Sequence, residues 1–243
     1  MIYKVIDVSK YQGVIDWAKV KADGVAGAII RCGYANRDGS ITADPYFKRN
    51  MQAAAAAGMP VGVYVYSYCR DEAGARTAAR NVLEMVKPYK LEYPLVWDCE
   101  ESKIAITLGK AKNTAICKAA LEVWEQAGYY AMLYSYKNFV SSYLYMNQLA
   151  AYDFWLAHYT AKTNYSGPYG MWQYSSSGSV NGINGRVDMN HCYRDYPSII
   201  RGAGLNGFGA PKLTSYKVGP LSAGDAAKLL ALAGEMGVAC AEV

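Results

Sequence analysis

Short runs of Val, Ile, Tyr and Trp alternate along the chain with stretches in which apolar residues recur every three or four positions. The runs predict strands near 3–8, 25–31, 61–67, 94–98, 130–134, 153–157, 171–174 and 186–189. Between them, Asp44 and Pro45 read as N-cap and first residue of a helix closed by Gly58. Asp71 caps a run that places Ala75, Ala78, Ala79, Val82, Leu83 and Val86 on one face, and a further helix is expected from about Lys110 to Gly128. Strand and helix in repeated alternation imply parallel strands joined by crossovers, and eight of them predict a closed barrel. After 158 and after 174 the connections are only about a dozen residues and rich in Gly, Ser, Asn and Pro, too poor in helix formers for crossover helices. The fold class is therefore α/β: an irregular (β/α) barrel of about eight strands, helical in its first half and looped or partly antiparallel in its second.

From Gly202 the stretch Gly-Ala-Gly-Leu-Asn-Gly-Phe-Gly-Ala-Pro reads as a linker, which divides the chain into a barrel over 1–201, a linker over 202–211 and a C-terminal segment over 212–243. In that segment 213–218 looks like a strand, and Ser222 with Asp225 resembles a capping box. Leu229, Leu230, Leu232, Ala233 and Met236 supply a helix's apolar face before Gly237, and 238–243 has the character of a strand's beginning. A unit this small without staples seldom folds alone, so it is expected to dock on the barrel, to pair with another copy, or to be a piece of something longer.

Composition narrows the function classes. With 52% apolar residues in 243, the chain can bury a large core. Its 25 basic and 20 acidic side chains, net +5, contain no long run of like charge, which suits mild attraction to an anionic polymer and not a nucleic-acid footprint. The 23 Tyr against 4 Phe supply rings that pack and hydroxyls that hydrogen-bond, as a sugar groove or a half-buried shell requires. Six cysteines without a Cys-x-x-Cys pair read as reduced thiols. The opening Met-Ile-Tyr-Lys-Val-Ile-Asp has no charged n-region or apolar h-region, so synthesis in the cytoplasm, or removal of a leader, is expected. The longest apolar stretch, Ala53 to Cys69, is broken by Gly58-Met-Pro60, and neither a membrane nor a nucleic-acid partner is expected.

Four acids, Asp7, Asp98, Glu100 and Asp188, coincide with the C-terminal ends of predicted strands, where barrel enzymes build their sites. Asp98 and Glu100 are two apart, so in extended geometry both point inward, roughly 6–7 Å apart at the backbone, while Trp97 and Cys99 face the helices. Two such carboxyls can hold each other's pKa values apart, one staying an acid while the other ionises. A single strand-end carboxylate is commonly a cap or a surface ion pair. Four together, with only Arg31 as a strand-end cation, look like a strained functional site. Strand-end aromatics Tyr66, Tyr134, Trp155 and Trp172, with Gln173, are expected to line a groove around them. His158 either lines that groove or is satisfied by its neighbours.

The segments Asp7-Val-Ser-Lys-Tyr-Gln-Gly, Ile15-Asp-Trp17, Trp97-Asp-Cys-Glu100, Phe154-Trp-Leu-Ala-His-Tyr159, Trp172-Gln-Tyr174 and Val187-Asp-Met-Asn190 occur in one order over roughly residues 3 to 195. In that order and spacing the chain resembles the family 25 glycoside hydrolases, the Chalaropsis-type lysozymes of phage endolysins and bacterial autolysins. Cys99 departs from the family's more usual apolar residue. The resemblance implies a barrel that loses helices in its second half. It implies cleavage of the β-1,4 bond between N-acetylmuramic acid and N-acetylglucosamine in peptidoglycan, without metal or other cofactor. It also carries the family's acids onto Asp7, Asp98, Glu100 and Asp188. His158 and His191, the only histidines, have no metal-binding spacing. Spacing leaves open whether Asp98 attacks the sugar or the substrate's own acetamido group does. The similar Asp-x-Glu arrangement of chitinases favours the second.

Two other classes compete. A Cys/His amidase or peptidase would use Cys32, Cys69 or Cys99, but none opens a helix with a His on a following strand, and the acids would go unexplained. A catalytically silent glycan-binding barrel gains nothing from desolvated carboxylates.

Overall fold

The computed structural model describes residues 1–209 and 219–235. The chain divides into two units, Met1–Pro211 and Lys212–Val243. The first holds β1 (Tyr3–Val8), α1 (Trp17–Ala22), β2 (Gly27–Ala35), β3 (Ile41–Ala43), α2 (Phe47–Ala56), β4 (Val61–Ser67), α3 (Glu72–Val86) and β5 (Leu95–Asp98). It continues through α4 (Ser102–Gln126), β6 (Ala131–Tyr136), α5 (Lys137–Tyr143), β7 (Asp153–Ala157), β8 (Met171–Gly178), β9 (Val187–Cys192) and α6 (Tyr196–Gly202).

Eight strands close a barrel in the order β1-β9-β8-β7-β6-β5-β4-β2, shut by the β1–β2 pairing, and β3 hangs on β2 as a hairpin. From β1 through β8 all barrel pairings are parallel, whereas β9 runs antiparallel to both β8 and β1. A short connection such as 179–186 can return a strand only in the antiparallel sense, which explains the irregular second half.

Alternation along each strand sorts the side chains into two cores. Ile6, Val8, Ile30, Val63, Val65, Leu95, Trp97, Leu133 and Leu156 point outward into the layer beneath the helices. There Trp97 meets Trp124 of α4 edge-on. Val5, Ile29, Val96, Met132, Trp155 and Met171 fill the barrel, and Tyr196 and Ile200 of α6 pack with them.

Several boundaries moved. Asp71 caps α3 through the Gly74 amide as expected (2.8 Å), but Asp44 does not cap α2, which begins at Phe47. Its Oδ1 accepts from the Tyr46 amide in the turn before that helix (2.9 Å), while its Oδ2 accepts from Arg31 Nε (2.9 Å) and the Lys10 amide (3.0 Å). The helix expected from Lys110 is preceded by a helical stretch from Ser102, broken at Gly109, whose φ of 77° lies in the left-handed region that glycine adopts freely. The linker expected from 202 is in its first part packed structure. Asn206 is fully buried, donates to the carbonyls of Leu91 and Tyr93 (3.0 Å each) and accepts from the Tyr130 amide (2.7 Å). Small residues there serve tight turns rather than freedom, since Asn206 itself has a positive φ of 54°.

In the second unit α7 spans Ala223–Glu235, with the Ser222 hydroxyl accepting from the Asp225 amide (3.2 Å). The strands expected at 213–218 and 238–243, and Met236 with Gly237, lie outside the described residues. Among the described residues no helix is long and apolar enough to cross a membrane.

Candidate active site

All four sequence-predicted acids meet at one mouth of the barrel, in a cleft of about 360 Å³. Asp7 sits near the C-terminal end of β1 and Asp98 ends β5. Glu100 lies two residues past Asp98, beyond the strand itself. The Cys99 amide still pairs with the Tyr134 carbonyl (3.0 Å) and the Ser135 hydroxyl donates to the Cys99 carbonyl (2.6 Å). Extended pairing therefore continues past the strand's last residue, and Glu100 reaches the same cleft as Asp98. Asp188 needs a correction: it stands near the start of β9, not at a C-terminal end. Because β9 is antiparallel, its start lies at the same mouth, and Asp188 pairs directly with Asp7.

A buried polar chain fixes Asp7, which is 5% exposed. Its Oδ2 accepts from Gln173 Nε2 (2.9 Å) and Asn190 Nδ2 (2.8 Å). Asn190 Oδ1 in turn accepts from the Trp155 indole (2.7 Å), while Gln173 Oε1 accepts from the hydroxyls of Tyr134 and Tyr159 (2.9 Å each). Asp98 is 3% exposed, and its Oδ1 is buried with no hydrogen-bond partner. An orphaned buried acceptor of this kind is costly and marks a site built for a donor brought by something else.

Electrostatics follow from this crowding. Burial raises the pKa of Asp7 well above the ordinary carboxylate value and Asp188 adds repulsion, while the amides of Asn190 and Gln173 pull it back. Burial first, then Glu100, raises Asp98 in the same way. Glu100 is pushed up to about 7 by burial, by Asp188 and by Glu101, and Asp188 to about 6 by burial. Glu100 thus keeps its proton up to near neutral pH, as a general acid requires.

Arg31 lines the cleft and pairs with Asp44, donating from Nε (2.9 Å) with Nη2 2.7 Å from Oδ2 but without a hydrogen bond of its own, and it stacks on Tyr34 (4.6 Å). It is not the direct partner expected for the four acids. Tyr66, Tyr134, Trp155 and Gln173 also line the cleft. Trp155 is only 1% exposed, however, wedged edge-on against Tyr134, so it positions Asn190 and offers no open face to a sugar. Trp172 and His158 do not line it. Strand alternation forbids Trp172 and Gln173 from sharing a face, and Trp172 joins the outer core with its indole donating to the His158 carbonyl (2.9 Å). His158 Nδ1 pairs with the Thr163 hydroxyl (2.9 Å), so its neighbours satisfy it.

Sequence reading missed Asn190, Tyr64, Tyr68, Tyr34, Tyr11 and Tyr159. Parity alone could have found Asn190 from Asp188 and Tyr64 from Tyr66, since residues two apart share a strand face. Tyr11 and Tyr159, 72% and 56% exposed, come from the segments after β1 and β7 and carry no periodic signal. Among the described residues no group of three His, Cys, Asp or Glu is arranged to hold a metal, and the five described cysteines are free thiols.

A barrel whose mouth gathers buried, proton-retaining carboxyls among tyrosines defines the class of barrel glycoside hydrolases. Residues 6–183 match the family described as Glycosyl hydrolases family 25, and the chain belongs to that family. It is 31% identical over 191 residues to the uncharacterized protein YegX of Escherichia coli K12, covering 76% of this chain and 67% of that one. It is 27% identical over 190 residues to the autolytic lysozyme of Clostridium acetobutylicum, covering 77% and 55%. The modular autolysin LytC of Streptococcus pneumoniae superposes with a TM-score of 0.70 at 31% identity over 79% of this chain. The chain spans about half of that autolysin's length, 47%.

Proposed function

We propose that this protein is an N-acetylmuramidase, cutting the β-1,4 bond between N-acetylmuramic acid and N-acetylglucosamine in bacterial peptidoglycan after release to, or secretion toward, the wall. The observation that carries this reading is the buried Asp98, with one oxygen unpartnered, beside a Glu100 whose pKa is raised to about 7. Glu100 protonates the glycosidic oxygen as the bond breaks. The 2-acetamido carbonyl of the muramic residue attacks the anomeric carbon, a positioned intramolecular step that needs no protein nucleophile. Asp98 Oδ1 accepts the acetamido N–H, which favours its ionised form and stabilises the positive charge on the oxazolinium ring. Asp7 and Asp188 hold the protonation and pose of that pair.

Digestion of isolated walls tests the activity: new reducing sugars support it, whereas new amines alone, or binding without either, defeat it. Glycans de-acetylated at the muramic nitrogen test the route. Cleavage at an undiminished rate, or a sugar ester trapped on Asp98, excludes it. The C-terminal segment, on this reading, attaches the enzyme to walls or to a second copy, because a unit so small gains stability only against a partner surface.

A further inference from the structure

Beside the acid cleft, and sharing Tyr68 with it, lies a second hollow of about 670 Å³ that the reaction above does not use. Arg37, Arg70 and Lys103 line it, and among the described residues none of the three side chains makes an ion pair or hydrogen bond. Arg70 Nε is shut away from solvent without an acceptor. The hollow's two carboxylates are already occupied: Asp38 accepts from the Ser40 amide and hydroxyl (2.9 and 2.7 Å), and Glu101 from the Lys103 amide (3.2 Å) and Tyr66 (3.4 Å). The hollow's three cations thus outnumber its two carboxylates, which take hydrogen bonds from neutral donors and keep their charge.

The wall of this hollow is built, not incidental. The β2–β3 turn carrying Arg37 is pressed onto α3 so closely that a Cβ on Gly39 would stand 2.6 Å from the Gly74 carbonyl, and one on Gly74 would stand 2.6 Å from that of Arg37. Asn81 Nδ2 donates to the Gly39 carbonyl (2.9 Å), and Gly39 has φ +84°. The turn is thus clamped, and the backbone of Arg37 with it.

We propose that this hollow is the subsite for the acidic peptide stem that the muramic residue carries on its lactyl ether, its carboxylates docking on Arg37, Arg70 and Lys103. The inference rests on the muramidase reading. A peptide tethered to a sugar held over Asp98 leaves the cleft sideways, and the hollow adjoins the cleft at Tyr68. Guanidinium groups without a protein acceptor suit carboxylates through charge-assisted, paired hydrogen bonds.

The test measures kcat/KM of the full chain on soluble uncross-linked strands bearing stems and on the same strands stripped of stems by an amidase, both free of phosphate polymer. Wild type is expected to prefer stem-bearing strands, and Arg37→Ala/Lys103→Ala to lose roughly tenfold on those alone, an advantage that shrinks at high salt. Stem-free strands should be cut within about twofold of wild type, two exposed charges being of little structural weight. Equal loss on both strands, or no loss on either, overturns the subsite. So does a loss that appears only when phosphate polymer is restored to stem-free strands. If wild type releases no reducing ends from either strand, the muramidase reading itself falls. Lys103→Ala alone, on an exposed side chain, gives an independent check with the same expected direction.

Discussion

Asp7 and Asp188 are direct cross-strand partners where antiparallel β9 meets β1. Like charges placed so are destabilising unless one keeps a proton, and the pair is sustained by the Asn190 and Gln173 amides on Asp7. Stability is thereby given up at the mouth of the barrel, where it keeps Glu100 protonated: Asp188 is second only to burial among the causes that raise Glu100.

Glu100→Gln removes the proton donor and leaves the cleft's shape. Turnover on walls should fall ~100-fold or more, the scale of a positioned general acid, with wall binding retained. Near-native reducing-sugar release would end the assignment of Glu100.

Activity should fall as pH rises through about 7, the value to which Glu100 is pushed. Asp188→Asn takes away a repelling charge and should move that alkaline limb of kcat/KM to lower pH. A limb that stays put in the variant would show that another group sets it.

The same shift has a signature in stability. A folded-state pKa raised from 4.5 to about 7 means that the native state binds the proton more tightly than the unfolded chain. Stability from this group is complete below its unfolded value and is lost as pH climbs through about 7. Denaturant melts at pH ~5 and ~8 should therefore differ less in Glu100→Gln than in wild type, by on the order of 1–3 kcal/mol. Identical differences would mean that Glu100 is not strained.

Trp155→Phe keeps the ring and deletes the indole donor, leaving Asn190 Oδ1 buried without its 2.7 Å partner. That should cost about 1–3 kcal/mol in unfolding experiments, with kcat falling more than KM changes, because Asp7 loses its brace. An increase in KM alone would make Trp155 a sugar platform instead.

Asn206 joins 203–208 to the barrel through three side-chain hydrogen bonds, two of them buried, so a chain ending at residue 209 should melt like the full chain. Asn206→Ala should lose about 2–4 kcal/mol. The 209-residue chain should retain activity on soluble glycan and bind whole walls less well, or change its oligomeric state in sedimentation. Unaltered wall binding with a monomer in both forms would leave the C-terminal segment without the proposed role.

Strand periodicity and the order of short acidic and aromatic motifs were enough to read an irregular barrel and to single out the four acids and Gln173 that share its cleft, because a period of two and a motif order are local signals. Local signals also misplaced Trp172, which alternation turns away from the cleft, left His158 open between the groove and its neighbours, and read 202–211 as a linker when the small residues of its first part serve packed turns. The partly antiparallel second half was legible, but not that β9 is the strand that turns back. Only tertiary pairing sets Asp188 against Asp7 and carries Asn190 in from 183 residues away. Composition likewise shows cations and acids but not who holds whom: Arg31 is paired with Asp44, whereas among the described residues the side chains of Arg37, Arg70 and Lys103 pair with no carboxylate. Long-range partners compete for the same charges, and that competition is decided when the barrel closes.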